Sequence, residues 1–355
     1  MSTPTNAKIV PSLGLTYDEV LIVPQYSEVR SRNDVDLAVE LAPGLTLTSP
    51  IIPSNMDTVV SVELCVRLHE LGGIGNLHQF QSIEKQVLEL KEVKSRGAKV
   101  AASTGVTKDY IDRARALIEN GVDLIIFDTP HAHHILTIEA VKAFRKEFGA
   151  FPLIAGNIAT PEAAEDLIKA GVDGVKVGVG PGAACLTRVN AGSGYPQLSA
   201  VLAVGEVTKK YGKSLIADGG IKTPGNFAKA IGAGGTIAMM GSVLAGVDEA
   251  PSDLVERDGK RYKTYRGSSS EEAKMARSKN DQNYKNAANE YVEGAAGLVK
   301  YQGSLESFVQ RFNMGLRSAM SYSGARTITE FHENVKFVQI SPVGILESGA
   351  HGLVG

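Results

Sequence analysis

Cys185 and Thr187 stand two residues apart in the stretch KVGVGPGAACLTRVNAGSGYPQ, residues 176–197, where a β-branched run breaks into Gly178, Gly180 and Gly182. The chain has only two cysteines. Cys65 lies on an apolar helical pattern, VELCVRLHEL, and reads as core, whereas Cys185 lies in a loop with room for little but backbone. A thiol there is either small filler for a tight turn or a nucleophile, which attacks well as a thiolate among backbone N–H groups. Thr187 can pass a proton but brings no charge. The GVGPG turn ahead of it can approach a phosphate or turn its carbonyls on a monovalent cation. Two further glycine-rich ends, ADGG at 217–220 and MGS at 240–242, have the composition of an anion grip made of backbone amides. Asp218, within the first, suits a sugar diol better than a phosphate. The residues describe a phosphorylated, ribose-bearing substrate attacked by Cys185. A phosphosugar aldolase or isomerase is a weaker reading, because no lysine ends a strand in Schiff-base position and Lys176 falls inside one.

The elements that must carry these residues form a rhythm. PIIPSNM, GGIGNLH, AKVAAST, DLIIFD, FPLIAGN, DGVKVG, SLIADGG and GTIAMMG are eight short apolar runs bounded by glycine or polar residues. Amphipathic stretches such as IEKQVLELKEVKSRG, KDYIDRARALIENG, IEAVKAFRKEFG and PEAAEDLIKAG separate them. Alternation of this kind predicts βα units around a parallel sheet, and eight of them fit a (β/α)8 TIM barrel better than an open doubly wound sheet. No GxGxxG opens the first unit. Asp57, His78, Asp128, Asn157, the 178–187 loop, Asp218–Gly220 and Gly241–Ser242 all follow runs, as the catalytic rim of a barrel requires. Singly, each reads as a turn-former or helix cap.

Residues 1–49 read as a turn-rich preamble with a short apolar run, Val20–Val23, and a hairpin in VDLAVELAPGLTL. Residues 250–300 are charged and poor in large apolar side chains, so they read as an excursion from the last βα connection, a mobile lid or a linker. LESFVQRFNMGLRSAMSYSGA then predicts the helix that closes the barrel, and the tail from about 335 to 355 begins strand-like and ends in glycine. The expectation is one catalytic barrel domain over 1–355 with a flap near its C-terminal end.

Apolar residues make up 43% and charged residues 21% of the chain, with a net charge of −2 and no basic blocks, so neither nucleic acid nor a membrane surface is an expected partner. No window has the roughly 18 apolar residues of a membrane span. The start, MSTPTNAKIV, lacks a basic-then-apolar leader, and two unframed cysteines suit the cytoplasm.

KVGVGPGAACLTRVNAGSGYPQLSAV closely resembles the active-site loop of the IMP dehydrogenase/GMP reductase family, and SNMDTV, GGIGNLH, IAGNIAT, IADGGIKTPG, MMGSVLAG, YRGSSSEEA and GLRSAMSYSGA follow it in order across essentially the whole chain. The paired CBS domains that many members insert after the second barrel unit are missing, since KEVKSRG runs straight into AKVAAST. The resemblance implies that Cys185 bonds covalently to C2 of a purine while a hydride passes between C2 and a nicotinamide. It implies that Ser54, Met56, Asp218, Gly220, Gly241, Ser242, Tyr265 and Gly267 hold the nucleotide's ribose and phosphate, and that Asp128, Thr129 and Asn157 face the nicotinamide. Thr187 and Glu293 match a proton relay. The carbonyls of Gly180, Gly182 and Cys185, with Glu347, Ser348 and Gly349 in the tail of a neighbouring subunit, match a potassium (K+) site, and the family implies a homotetramer. Ala183 departs from a serine that usually touches the phosphate.

Two activities share that chemistry. A dehydrogenase (IMP, NAD and water to XMP and NADH) hydrolyses the thioimidate with an Arg-Tyr base on the flap. A GMP reductase forms it by expelling ammonia from GMP, then reduces it with NADPH. Here the flap reads NDQNYKN, with Asn283 before Tyr284, and Arg277 has no tyrosine after it. That substitution, the missing CBS pair and VERDGKRYKTYRGSSSEEA favour the reductase. GVTKDYIDRARALIENGVDLIIFDTPHAH, MGSVLAG, GLRSAMSYSGA and the ESGAH tail resemble dehydrogenases, and Tyr291 and Val292 replace the Arg and Ser usual in reductases. GMP reductase is the reading adopted, with IMP dehydrogenase the alternative and an inactive nucleotide sensor a third.

Overall fold

In the computed structural model, which describes residues 9–10, 13–280 and 292–349 and the side chains of all of these except 276–280, the eight apolar runs are eight parallel strands. These are β1 (Ile51–Pro53), β2 (Gly75–Leu77), β3 (Val100–Thr104), β4 (Leu124–Asp128), β5 (Leu153–Ile158), β6 (Gly174–Val177), β7 (Ser214–Asp218) and β8 (Ile237–Met240). Helices follow each: α1 (Val62–Glu70), α2 (Ile83–Ser95), α3 (Tyr110–Glu119), α4 (Ile135–Phe148), α5 (Pro161–Ala170), α6 (Gln197–Tyr211), α7 (Pro224–Gly232) and α8 (Leu305–Tyr322). Pairing runs β1–β8–β7–β6–β5–β4–β3–β2. The Ile74 amide donates to the Ile51 carbonyl at 3.2 Å across the remaining seam, which closes the ring. This is the expected (β/α)8 barrel.

Local chemistry explains the rhythm. Strands covered on both faces can be apolar throughout, and every residue of β3 and the first four of β4 are buried. α5 and α7 both begin Thr-Pro: Thr160 and Thr223 accept the backbone N–H of Ala163 and Asn226, and proline occupies the first helical position, where no N–H is needed. α4, α5 and α6 stop at Gly149, Gly171 and Gly212, whose positive φ ends a helix cheaply.

The excursion is not the unstructured linker that its composition allowed. Leu254–Arg257, Lys260–Arg266 and Ala296–Lys300 form a three-stranded antiparallel sheet, with a helix over Glu271–Asn280. Its central strand, KRYKTYR, alternates in burial, but one inward position is a lysine, which hid the strand from a hydropathy reading. Lys263 is 4% exposed, and its ammonium donates to the carbonyls of Val247 and Ala250 at 2.8 and 2.7 Å, fastening the sheet to the turn after β8. Asn283, Tyr284 and Tyr291, on which part of the reductase argument rests, lie outside the described residues, as does the Arg277 side chain.

The hairpin expected in the preamble is present as Val39–Ala42 and Leu45–Leu47, with Val39, Leu41, Leu45 and Leu47 in the core. Val20–Ile22 pairs antiparallel with Phe337–Gln339, so lead and tail hold each other. No described helix is long and apolar enough to cross a membrane.

Opposite the catalytic rim, Arg145 ties three loops together. Its guanidinium donates to the carbonyls of Gly171 at 2.6 Å and Gly149 at 3.0 Å and meets Asp173 at 2.7 Å, while Asp173 accepts the Leu153 amide at 3.1 Å. Replacing Arg145 by Met removes the shorter of the two ion pairs to that largely buried carboxylate, leaving it Lys213 at 3.4 Å, and takes the donor from the loop carbonyls, which costs about 2–3 kcal/mol. Because the N-terminal end of a barrel carries stability rather than chemistry, Arg145→Met is expected to lower the thermal midpoint by several degrees with the ligand affinity of the folded fraction intact; loss of affinity at an unchanged midpoint contradicts this.

Candidate active site

The strand ends of β1, β4, β5, β6, β7 and β8 open into one cavity of about 310 Å³, bounded on its outer side by the flap. Gly178 ends β6 because a side chain there would run into the Asp218 carbonyl oxygen. The chain then loops out to Cys185 and returns at Tyr195, whose amide donates to the Val179 carbonyl at 3.3 Å. After β7, Gly219 and Gly220 take φ of +90° and +77°, a turn that lays their backbone along the cavity wall.

Three segments far apart in sequence build the surroundings of the thiol. Cys185 bridges to Gly294, the Leu186 amide donates to the Glu293 carbonyl at 2.8 Å, and the Ala295 amide donates to the Ala184 carbonyl at 2.9 Å. The Gly267 amide in turn donates to the Ala295 carbonyl at 2.9 Å. This main-chain stitching sets up a side-chain relay. The Cys185 thiol donates to Thr187 Oγ1 at 3.3 Å, and the Thr187 hydroxyl donates to Glu293 Oε2 at 3.0 Å. A proton leaving sulfur therefore has a two-step path to a carboxylate.

Across the cavity lies a buried ionic cluster. Lys176 is 1% exposed, and its ammonium donates to Asp128 Oδ1 at 2.7 Å, to Asp218 Oδ2 at 3.0 Å and to Asn157 Oδ1. Burial alone lowers a lysine pKa, but here the two carboxylates outweigh it and hold Lys176 protonated well above the ordinary range. Asn157 Nδ2 donates to Asp218 Oδ2 at 2.9 Å and to the Gly178 carbonyl at 2.6 Å, and Asn55 Nδ2 donates to Asp128 Oδ2 at 2.8 Å. On the β1 side, Ser54 and Met56 meet Tyr265, whose hydroxyl lies 3.7 Å from the Met56 sulfur. Burial, then Asp218 and Cys185, raise the Tyr265 phenol, so it remains a neutral donor. Arg266 clasps Asp57 with contacts of 2.6 and 3.2 Å, which fixes the root of the flap to the first barrel loop.

Sixteen of the residues singled out in the sequence line this one cavity, from Ser54 and Met56 to Glu293. Glu347, Ser348 and Gly349 do not: they close the helix Pro342–Glu347 away from it, and Ala350 and His351 of the same tail lie outside the described residues. Of the other strand-end residues, Asp57 serves Arg266, and His78 turns its Nδ1 to the Phe80 amide at 3.2 Å, the plain structural roles. Sequence reasoning missed Asn55, Gln79 and above all Lys176. Its position inside β6 argues against a Schiff-base role, yet the side chain runs along the barrel interior to the cavity. Its one available signal was a lysine in an otherwise apolar strand. With both carboxylates keeping the amine charged, Schiff-base chemistry still does not follow.

Fold and site together define a barrel enzyme that receives a nucleotide-sized ligand beside a relayed thiol. The chain belongs to the IMP dehydrogenase / GMP reductase family, whose domain model matches residues 14–351. It is 30% identical to an inosine-5'-monophosphate dehydrogenase from Nitrosopumilus maritimus (96% of this chain, 98% of the relative) and 32% identical to a GMP reductase from Leishmania donovani (96% and 97%). A crystal structure of a cysteine-to-alanine variant of GMP reductase from Trypanosoma brucei, in complex with guanosine 5'-monophosphate, superposes with a TM-score of 0.90 at 32% identity, covering 97% of this chain and 99% of that one. This chain is accordingly an NAD(P)-dependent oxidoreductase of purine metabolism.

The Arg266–Asp57 clasp carries a prediction. Charge-assisted hydrogen bonds are worth about 1.5–3 kcal/mol, so Arg266→Gln should speed amide exchange over 260–268 and 294–300 by roughly tenfold or more, with β3–β5 unchanged. Equal protection of the flap in both proteins would refute the clasp.

Proposed function

We propose that this chain catalyses the NADPH-dependent reduction of GMP to IMP and ammonia. The observation that carries the reading is the hydrogen-bonded series Cys185–Thr187–Glu293, which suits a reaction that needs a thiolate and then a proton for a departing amine. Ser54, Gly220, Gly241, Ser242, Tyr265 and Gly267 would hold the nucleotide's phosphate and ribose, with Asp218 accepting from the diol. The hydroxyls of Ser268 and Ser269 line the same cavity and can stand in for the serine that Ala183 replaces. Asp128, Thr129 and Asn157 would face the nicotinamide. The fit rests on their chemistry: a polar, hydrogen-bonding wall opposite the thiol, with the Gln79 amide donating to the Asp128 carbonyl at 3.2 Å.

Cys185 gives its proton through Thr187 to Glu293, and the sulfur adds to C2 of the purine. The C2–N bond then breaks, and Glu293, now protonated, returns a proton through Thr187 to the departing ammonia. A dinucleotide held against Asp128, Thr129 and Asn157 would supply the hydride that reduces C2. As the C2–H bond forms, the Cys185–C2 bond breaks, and the released thiolate takes up a proton from solvent to restore the starting thiol. No step needs an activated water, which agrees with Asn283 standing where a dehydrogenase has its arginine. Oxidation of IMP by NAD and water is the second reading, favoured by the dehydrogenases among relatives at similar identity. A sensor without turnover would have no use for an intact relay.

A potassium ion would sit on the carbonyls of Gly180, Gly182 and Cys185, hard oxygen donors that suit such an ion; the Gly182 carbonyl also accepts the Cys185 amide at 3.0 Å. Glu347, Ser348 and Gly349 of a neighbouring copy would complete the set in a cytoplasmic homotetramer. In support, the tail helix exposes Val343 and Leu346, apolar side chains that a neighbour would cover.

Ammonia release from GMP with NADPH, measured beside NADH formation from IMP with NAD, separates the readings; only the second reaction proceeding would reverse the assignment. Cys185→Ala should abolish turnover and keep GMP binding, and Glu293→Gln should slow turnover about 10²–10⁴-fold. Deleting residues 345–355 should reduce activity and the response to potassium together; losing one without the other would argue against the shared site.

A further inference from the structure

The chemistry proposed above makes no use of Lys176, yet this residue is the most thoroughly buried charge at the site. β6 sends its side chain into the barrel interior, and neighbouring β5 makes room for it with Gly156, where a Cβ would collide with that of Lys176. The ammonium has three hydrogens and three acceptors: Asp128 on β4, Asn157 on β5 and Asp218 on β7. Asn157 repeats the link by donating to the same Asp218 oxygen, Oδ2. Among the described residues nothing donates to Asp218 Oδ1, so that oxygen is left for a ligand. Asp218 lies on the nucleotide side of the proposed site, while Asp128 and Asn157 lie on the nicotinamide side. Lys176 is the cation shared by the two.

We infer that Lys176 is a positioning residue that couples the two ligand subsites, holding Asp218 for the ribose and Asp128 with Asn157 for the nicotinamide in one hydrogen-bonded array. The inference rests on the proposed assignment of those sides. The physical argument is that two buried carboxylates sharing one ammonium are not independent. Neutralising either lets the ammonium commit fully to the other, which changes its strength as an acceptor for the ligand it serves.

The test uses full-length protein and binding as well as turnover. GMP affinity is measured by calorimetry without dinucleotide for the wild type, Asp128→Asn, Lys176→Met and Lys176→Arg. Asp128→Asn keeps the shape of the side chain and lies on the far side from the nucleotide. It should nevertheless weaken GMP binding about five-fold through the shared ammonium. Lys176→Met should weaken GMP and raise the KM for NADPH, each by ten-fold or more, with the larger effect on KM than on kcat. Lys176→Arg should recover most of both losses. Lys176 and Asp128 substitutions should also be non-additive in a double-mutant cycle on GMP affinity. If Asp128→Asn leaves GMP affinity within two-fold, the coupling is refuted, whether or not Lys176→Met folds. If Lys176→Met weakens one ligand only, Lys176 serves a single subsite and the inference also fails. Failure of the wild type itself to bind GMP or a nicotinamide dinucleotide would instead overturn the proposed function, on which this inference stands.

Discussion

A barrel delivers the ends of its strands to a common rim, and in this chain that rim gathers Asp128 and Asp218 around the ammonium of Lys176. Two carboxylates withdrawn from water beside each other would repel and take up a proton. The lysine's charge offsets that repulsion, and the asparagine between them accepts from the ammonium and donates to Asp218 Oδ2. Gly156 follows from the same constraint, since the strand beside Lys176 must leave the interior open for its side chain. A buried ion pair of this kind is weak support for stability, because the desolvation it requires offsets most of its attraction. Its place on the inner wall of the cavity points to a functional reason for keeping it.

The opposite wall is held in a different way. There the thiol loop, the strand root at Gly267 and the return segment at 293–295 are joined by backbone hydrogen bonds, so the spacing of Cys185, Thr187 and Glu293 does not depend on long side chains. Two side chains help fasten the flap sheet to the barrel, Lys263 on the carbonyls after β8 and Arg266 on Asp57. Both anchors are polar. A segment fixed by a few hydrogen bonds to a rigid barrel can be released at modest cost, whereas one fixed by a large apolar face cannot. The nucleophile's partner Glu293 belongs to this polar-anchored part, so order in the flap and order in the relay go together.

The eight strands, most of the helices, the preamble hairpin and the helix that closes the barrel were legible in the sequence. Strands buried on both faces leave continuous β-branched runs, and helices packed on one side leave a 3.6-residue stripe. Glycine and polar residues bounded the runs. Cys185, Asp218 and the glycine turns were legible because chemistry and sharp turns restrict residue type at a single position. The flap sheet was not, because Lys263 fills an inward position of its central strand and so erases the alternation that identifies a strand.

What the tertiary structure alone decided was which polar residues meet. Lys176 looked misplaced in β6, and nothing local marks it as the partner of side chains 48 and 42 residues away. Asp57 and Arg266, or Thr187 and Glu293, are likewise separated by 209 and 106 residues and carry no mutual signature in the chain. Periodicity is a property of neighbours along the sequence and can be read there. Pairing across a barrel is a property of strand register and closure, and it exists only once the ring has formed.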